Sequence, residues 1–442
     1  MKKTYRMLFI ALVFACVFLT PALASNFDSS AQELKDLGMF KGTNVGFDLD
    51  RAPTRAEAAV MLVRLLGAEN EAKTQYESGE ITNPFTDVSD WAKPYIAWLY
   101  DNNLTKGVSD TIFGVAGQCT AKMYCTFVLR ALGYSDTDGD FTFDQSEDLA
   151  EYLGIYDADM VESTFLRDHA VAISYRALAA SINGTDTSLL EKLIADGAVS
   201  ETSASALLDK VKAYRAYCAA FDEYNSSSAV SASAYQFLKV QNIETFANYT
   251  YSGNVSYMVK ATDDGLQMSF INTYTYRGPT STTCSWIKDG YYYYSDAFEK
   301  TKTALTDSIM DEVFSGDVSV YMPALYEVKS AAMNSTAEGM KYVLTYADDF
   351  DYFGYLNDTL DLEFETSNIV NLSVSNCTLT VLTDEVGKIT SFKNNYCCTF
   401  KYNNEGYLAP ISMDYSNDEK INATGDRIVI VFPDFSAFKE QS

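Results

Sequence analysis

Along the first half of the chain apolar positions recur every three to four residues, and along much of the second half they alternate with polar ones. The helical pattern repeats. Residues 33–67 read Glu33-Leu34-Lys35-Asp36-Leu37-Gly38-Met39-Phe40-Lys41-Gly42, a loop, then Pro53-Thr54-Arg55-Ala56-Glu57 and an apolar helix ending at Leu66-Gly67. Residues 85–133 read Phe85-Thr86-Asp87-Val88-Ser89-Asp90-Trp91-Ala92, a helix to Asn103, Leu104-Thr105-Lys106-Gly107, a loop, then Cys119-Thr120-Ala121-Lys122 and a helix ending at Leu132-Gly133. Residues 141–180 open on Phe141-Thr142-Phe143-Asp144, pass through a helix to Leu153-Gly154 and a shorter loop, and continue from Leu166-Arg167-Asp168-His169 into a helix through Arg176 and Leu178. Self-similarity of this kind makes each unit one helix–loop–helix element whose apolar face is buried by its neighbours.

Residues 187–222 are again helical in pattern, and Asn225-Ser226-Ser227-Ser228 marks a boundary. Beyond it, Asn254 to Lys260, Gln267 to Tyr276 and Asp289 to Tyr294 carry the aromatic and β-branched residues of strands. Thr378 to Phe392 predicts two strands around the turn Asp384-Glu385-Val386-Gly387, and Arg427 to Phe432 a last buried strand. Lys302 to Phe314 and Pro323 to Met333 read as helices. The fold class is therefore multidomain α plus β: an N-terminal all-α module of three repeats and a C-terminal antiparallel β-sheet with inserted helices.

Composition narrows the function. Hydrophobic residues make up 47%, enough for packed cores. Lys2, Lys3 and Arg6 before the apolar run Met7 to Leu19, with Ala22-Leu23-Ala24 after it, read as a secretory signal peptide over 1–24. Cys16 raises a lipoprotein signal, but Phe14 before it and the apolar run continuing past it fit that signal poorly. The net charge of −27 falls to about −30 once the three signal cations are removed. Such a chain lacks the basic face that nucleic acid needs, and an anionic ligand requires a local cluster of Lys or Arg.

Candidate chemistry is sparse. Seven of the eight cysteines follow the signal, an odd number over a long chain, with no CxxC pair for zinc. They read mainly as small core residues, with one disulfide open in the C-terminal half. The Asp-rich stretch Ser135 to Asp140 has Tyr134 and Gln145 where a calcium loop needs acids, which favours a solvated linker. His169 is the sole histidine and stands far from any nucleophile motif, so no catalytic residue, cofactor or metal is assigned.

Pro53 to Glu57 is the most informative segment. Thr54 with Glu57 three residues on forms a capping box, placing Arg55 on the first turn of a helix with its guanidinium free to reach outward. A helix N-terminus attracts anions, and an Arg fork there suits a carboxylate, although spacing alone favours a solvated first-turn residue.

The repeat pattern resembles the S-layer homology domain, three tandem units with a Phe-x-Asp-Val opening followed by Trp-Ala, and a Thr-Arg-Ala-Glu helix start. Phe85 to Ala92 match the opening, and Leu37 to Gly42 with Thr54 to Glu57 match the rest. The resemblance implies repeats at 27–70, 84–134 and, degenerate, 141–183, with a helical connector over 184–228 and a β-rich domain over 229–442. It further implies a pseudo-threefold bundle binding pyruvylated secondary cell-wall polysaccharide in grooves between repeats. By position, Arg55 would hold the pyruvate carboxylate with Lys41 nearby, Trp91 would face a sugar ring or pack in the core, and Asp87 would accept sugar hydroxyls. Lys106 is the corresponding lysine of repeat two, which has Ala121 in place of Arg; Arg167 marks a weaker groove in repeat three, where His169 replaces Glu.

The C-terminal half resembles the lipoprotein-carrier (LolA/LppX-like) fold, a curved sheet cupping helices around an apolar cavity. The resemblance rests on the order of Trp286 to Tyr294, helices and closing strands. It implies a lipid-like ligand, with Ile309, Met310, Val313 and Phe314 on one helix face lining the cavity. Of Tyr291 to Tyr294, two are expected to point outward. The expected protein is thus non-catalytic, secreted and anchored at the wall of a Gram-positive-type bacterium, displaying a domain for an apolar ligand or a partner. The alternative is a wall-associated enzyme acting on glycans.

Overall fold

A computed structural model of the chain describes residues 27–440 apart from 45, 162, 246, 277, 307–308, 311–322, 349–364 and 405. The signal segment lies outside the described residues. The chain divides into a helical unit, which includes the residues up to Lys212 and Pro323–Tyr326, and a sheet unit made of most of the rest.

In the helical unit the first helix of each repeat is α1 (Asp28–Asp36), α4 (Lys93–Asp101) and α6 (Ser146–Tyr152). The second is α2 (Arg55–Leu65), α5 (Ala121–Ala131) and α7 (Arg167–Ala177), each 11 residues long. These three second helices pack against one another in all pairs, which makes them the centre of the bundle. Leu62, Val63, Phe127, Val128, Ile173 and Tyr175 are buried there, and Tyr124 and Ser174 hydrogen-bond across it at 2.7 Å. Between repeats one and two stands α3 (Glu69–Ser78). Thr54 caps α2 with Glu57 as expected, and Thr120 caps α5. Gly67 and Gly133, at φ +67° and +87°, end α2 and α5 in the left-handed conformation that releases the chain. After α7 come α8 (Leu189–Ala195) and α9 (Glu201–Asn225).

The sheet unit is one sheet of twelve strands among the described residues, ordered β12-β6-β5-β4-β3-β2-β1-β11-β10-β9-β8-β7. At its centre β1 (Ala229–Asn242) pairs antiparallel with both β2 (Asn248–Thr262) and β11 (Tyr407–Thr424). Outward on one side run β3 (Gly265–Tyr276), β4 (Thr280–Lys288), β5 (Tyr291–Ser295) and β6 (Lys300–Ala304), which β12 (Lys439–Glu440) joins in parallel. On the other run β10 (Ile389–Asn404), β9 (Ile369–Thr383), β8 (Met340–Tyr346) and β7 (Val328–Ser335). Side chains alternate, so Leu238, Val240, Leu379, Val381, Phe392, Tyr396 and Met413 bury one face. Tyr217, Ala220 and Phe221 on the later turns of α9 belong to the same core.

Several expectations are corrected. Pro323 to Met333 is not a helix: Leu325–Glu327 form a single 3-10 turn and Val328 onward is β7, because ladder bonds to β8 override the helix preference of Ala331-Ala332-Met333. Lys302 begins no helix either, since Lys300–Ala304 pair with β5; Ile309 and Met310 are half-buried, and Val313 and Phe314 lie outside the described residues. The segment Arg427 to Phe432 alternates as a strand should, with Ile428 and Ile430 buried and Val429 and Val431 exposed. It joins no ladder, and the Lys260 ammonium donates to the carbonyls of Asp426 and Ile428. Tyr291 to Tyr294 are all half-buried; Tyr293 stacks on Phe435 at 3.8 Å and Tyr292 bonds Ser285. All seven described cysteines are free thiols, so the C-terminal disulfide left open by the sequence is not formed. No loop separates α9 from β1 at Ala229, which is wholly buried, beyond three residues after Asn225.

Candidate functional site

The start of α2 meets the long loop of repeat two. The Arg55 N–H donates to the Gly117 carbonyl at 2.8 Å, and the Cys119 N–H to the Pro53 carbonyl at 2.9 Å. This pairing of main chains places the Arg55 side chain between two rings of repeat two. Its guanidinium carbon lies 4.9 Å from the Phe113 ring centre and 5.5 Å from that of Phe127. The expectation of an outward, solvated guanidinium is corrected: Arg55 is half-buried, and its Nε is buried with no hydrogen-bond partner. Burial lowers its pKa below the ordinary arginine value, and the nearby Asp87 charge works the other way.

Asp87 builds the shelf on which Arg55 rests. Its carboxylate accepts the N–H groups of Phe113, Gly114 and Val115 at 2.8, 2.7 and 3.2 Å. Burial opposes its charge, but those three donors outweigh burial and hold the carboxyl below the usual range. Asp87 thus orders the loop, and both of its oxygens face main-chain donors rather than a sugar. Gly107 makes the loop passable: at φ +71° a β-carbon there would stand 2.4 Å from the Phe85 ring. Trp91, four residues after Asp87, is 55% exposed and keeps its indole face open, while Trp98 fills the core instead.

The two lysines of the motif are both engaged by acids. Lys41 pairs with Glu69 at 2.6 Å, and Arg64, Lys73 and the Tyr95 hydroxyl converge on the same carboxylate. Lys106 pairs with Asp136 at 2.8 Å, which Arg130 grips through two nitrogens at 3.1 and 2.9 Å. Burial raises the pKa of both acids, but the cations outweigh it: Glu69 falls well below the usual range and Asp136 to about 2. Lys41 with Arg64 and Lys106 with Arg130 are equivalent positions of two repeats, each closed by an acid five or six residues after the arginine. Sequence reading missed these clusters; the signal was Arg64 and Arg130 at the tenth position of each second helix.

Arg167 heads α7 as Arg55 heads α2, and its N–H donates to the Arg51 carbonyl of repeat one at 2.9 Å. Its groove, expected as a weaker binding site, is filled. Nε and Nη2 both donate to the Phe47 carbonyl at 3.3 Å, Nη1 lies on the Met61 sulfur, and only 4% of the residue is exposed. Arg51 holds Glu57 in two bonds and Asp48 in a third, so the capping acid is also an ion pair and titrates at about 2. His169 takes half the place of Glu57: its Nδ1 accepts the Leu166 N–H at 2.9 Å, and burial lowers its pKa. The arrangement offers one incompletely bonded cation between aromatic faces at a capped helix start, which suits a carboxylate ligand.

No protein-family model matches the chain. Over 117 residues it is 31% identical to the middle cell wall protein of Brevibacillus brevis and, at the same identity, to the surface layer protein of Brevibacillus choshinensis. These stretches are 26% of this chain and 11% and 10% of those proteins. Over 58 residues it is 52% identical to a cell surface protein of Thermoanaerobacter kivui, covering 12% of this chain and 8% of that one. The matched stretches thus span only about a tenth of the length of these curated relatives. Among solved structures the chain is similar to LprF from Mycobacterium bovis, at 10% identity over 50% of this chain and 97% of that one, with a TM-score of 0.29, too loose to bear on function. The sequence relatives are wall and surface proteins of Gram-positive bacteria, and this chain is a cell-surface protein.

Proposed function

We propose that the helical unit attaches this protein to the cell wall without catalysis, as an S-layer homology module binding an acidic, pyruvylated secondary wall polysaccharide. The observation that carries the reading is Arg55, a half-buried guanidinium of repeat one set over Phe113 and Phe127 of repeat two, with no hydrogen bond from its side chain to an acid among the described residues. A pyruvyl carboxylate entering there would gain a charge-assisted hydrogen bond at a site already partly desolvated, with little ordering cost because both rings are packed. Trp91 is open to a sugar face. The net charge of −27 makes such a local cation necessary for an acidic polymer to approach. Arg55→Ala tests it by sedimentation with purified walls: loss of that bond costs ~1.5–3 kcal/mol, about tenfold to a hundredfold in affinity. Removal of the pyruvyl groups from the wall should weaken the wild-type protein to the same degree.

A further inference from the structure

The sheet has a second face, opposite the core, and its open part is built differently from the rest of the surface. Paired register runs one row of side chains across six strands: Lys393, Asp418, Tyr235, Asn254, Thr273 and Thr282. At strand spacings of ~4.8 Å the row is roughly 24 Å long. Neighbouring rows add Ser233, Ser256 and Lys420 on one side and Ser252 and Thr275 on the other. Tyr235 stands in the middle with 45% of its surface exposed, amid mostly small polar neighbours, with the half-buried Phe237 next to it on the same face of β1. Around it the surface dips into an open depression of about 420 Å³ bounded by Asn254, Thr273, Asp418 and Lys420. One end of this face is closed: the segment 428–438 lays Ile428, Ile430, Phe435 and Phe438 over Ala229 and Trp286. Apolar residues of this face are thus covered where they cluster, and the part left open is mostly hydroxyl and amide around Tyr235, with Phe237 half-buried beside it, Ile271 partly exposed and a few charged side chains.

The charge of the open part identifies the occupant. The chain as a whole is strongly acidic, yet here cations and acids are neighbours: Lys393 pairs with Asp418 at 3.2 Å, and Lys239 stands opposite Asp414. Hydroxyls are already oriented by cross-strand bonds, Thr273 to Thr282 at 3.1 Å and Thr275 to Thr280 at 2.9 Å. With Lys239, Lys393 and Lys420 set among Asp414 and Asp418 the face is close to neutral, and a lattice of oriented donors and acceptors around an exposed ring matches an uncharged sugar chain. The C–H face of a sugar covers the ring while its hydroxyls and amides meet the row. An acidic polymer would gain little where Lys393 and Lys239 already stand beside acids and would meet Asp414 and Asp418, and a hydrophobic partner would leave the hydroxyls unsatisfied. We propose that this face is a second carbohydrate-binding surface, taking an uncharged glycan strand across β10, β11, β1, β2, β3 and β4, independently of the Arg55 site.

The test titrates the full chain with N-acetylglucosamine hexamer by calorimetry. Saturable binding is expected for the wild-type protein and for Arg55→Ala. Tyr235→Ala should weaken it by about tenfold or more and Tyr235→Phe by little, since the ring rather than its hydroxyl carries the contact. Asn254→Leu, which retains strand packing, should also weaken it, so that a folding defect in one variant leaves the other to decide. Absence of wild-type binding, or equal binding by Tyr235→Ala and Asn254→Leu, overturns the proposal. Loss of binding in Arg55→Ala would assign the sugar to the helical unit and overturn it as well.

Discussion

Arg55 and Arg167 begin equivalent helices and reach into equivalent clefts, but only Arg167 has its guanidinium closed off, by the Phe47 carbonyl and the Met61 sulfur. Phe127 takes the place opposite Arg55 that Met61 takes opposite Arg167. One motif residue is therefore a candidate ligand and the other a structural tie. Arg167→Ala should leave the Phe47 carbonyl unbonded and cost on the order of 1–3 kcal/mol of stability. Calorimetric unfolding should show the loss, while wall binding of the folded protein stays unchanged.

Asp87 acts on the site through the loop. Asp87→Ala removes the acceptor of three N–H groups at 113–115 and releases the shelf under Arg55. Both the melting temperature and wall affinity should fall. Asp87→Asn, which keeps one carbonyl oxygen, should recover part of each.

The repeat, its three second helices and the capping box at Thr54 and Glu57 were legible because they rest on local chemistry, apolar periodicity and a side chain three residues from its backbone partner. Arg55 was found by the same route, but its inward turn was not, since it depends on Phe113 and Phe127, remote in sequence. The same holds for Lys41 and Lys106, whose acids lie 28 and 30 residues away. In the second half, Pro323 to Met333 read as a helix because its alanines favour one; the pairing of Val328–Ser335 with β8 is non-local and left no mark in that window. The tail at 428–432 shows the converse, a strand pattern that packs without a ladder.

Stability should depend on pH in two opposed ways. Burial raises Asp168 to about 7, against a single N–H from Phe27 and beside Asp28 and Asp50. The native state then binds a proton that the unfolded state lacks between about pH 4 and 7, so stability falls as pH rises through that window. Glu57 and Asp136, both held at about 2, contribute stability that is present above about pH 4 and lost as pH falls towards 2. Unfolding temperatures of the full chain at pH 3, 5 and 8 should peak near 5. Asp168→Asn should raise the value at pH 8 and flatten the decline above 5.

The passage from α9 to β1 should resist proteases. Ala229 and Val230 are buried four and five residues after the helix end at Asn225, and the Ser226 and Ser227 N–H groups still donate to α9 carbonyls. Limited digestion with the broad-specificity proteases subtilisin and proteinase K, read by mass spectrometry, should give no early cut between 225 and 232.

The attachment of the protein to the wall through Arg55 is tested most directly by co-sedimentation with pyruvylated wall polysaccharide of wild-type protein, Arg55→Ala and Arg55→Lys. Arg55→Ala should unfold at a somewhat lower temperature through loss of its two ring contacts, while the cap of α2 on Thr54 and Glu57 holds, so binding is compared where all three are folded. Arg55→Ala should lose about tenfold to a hundredfold in affinity, and Arg55→Lys should recover only part, having a point charge in place of the fork. Undiminished binding by a folded Arg55→Ala protein would contradict the account.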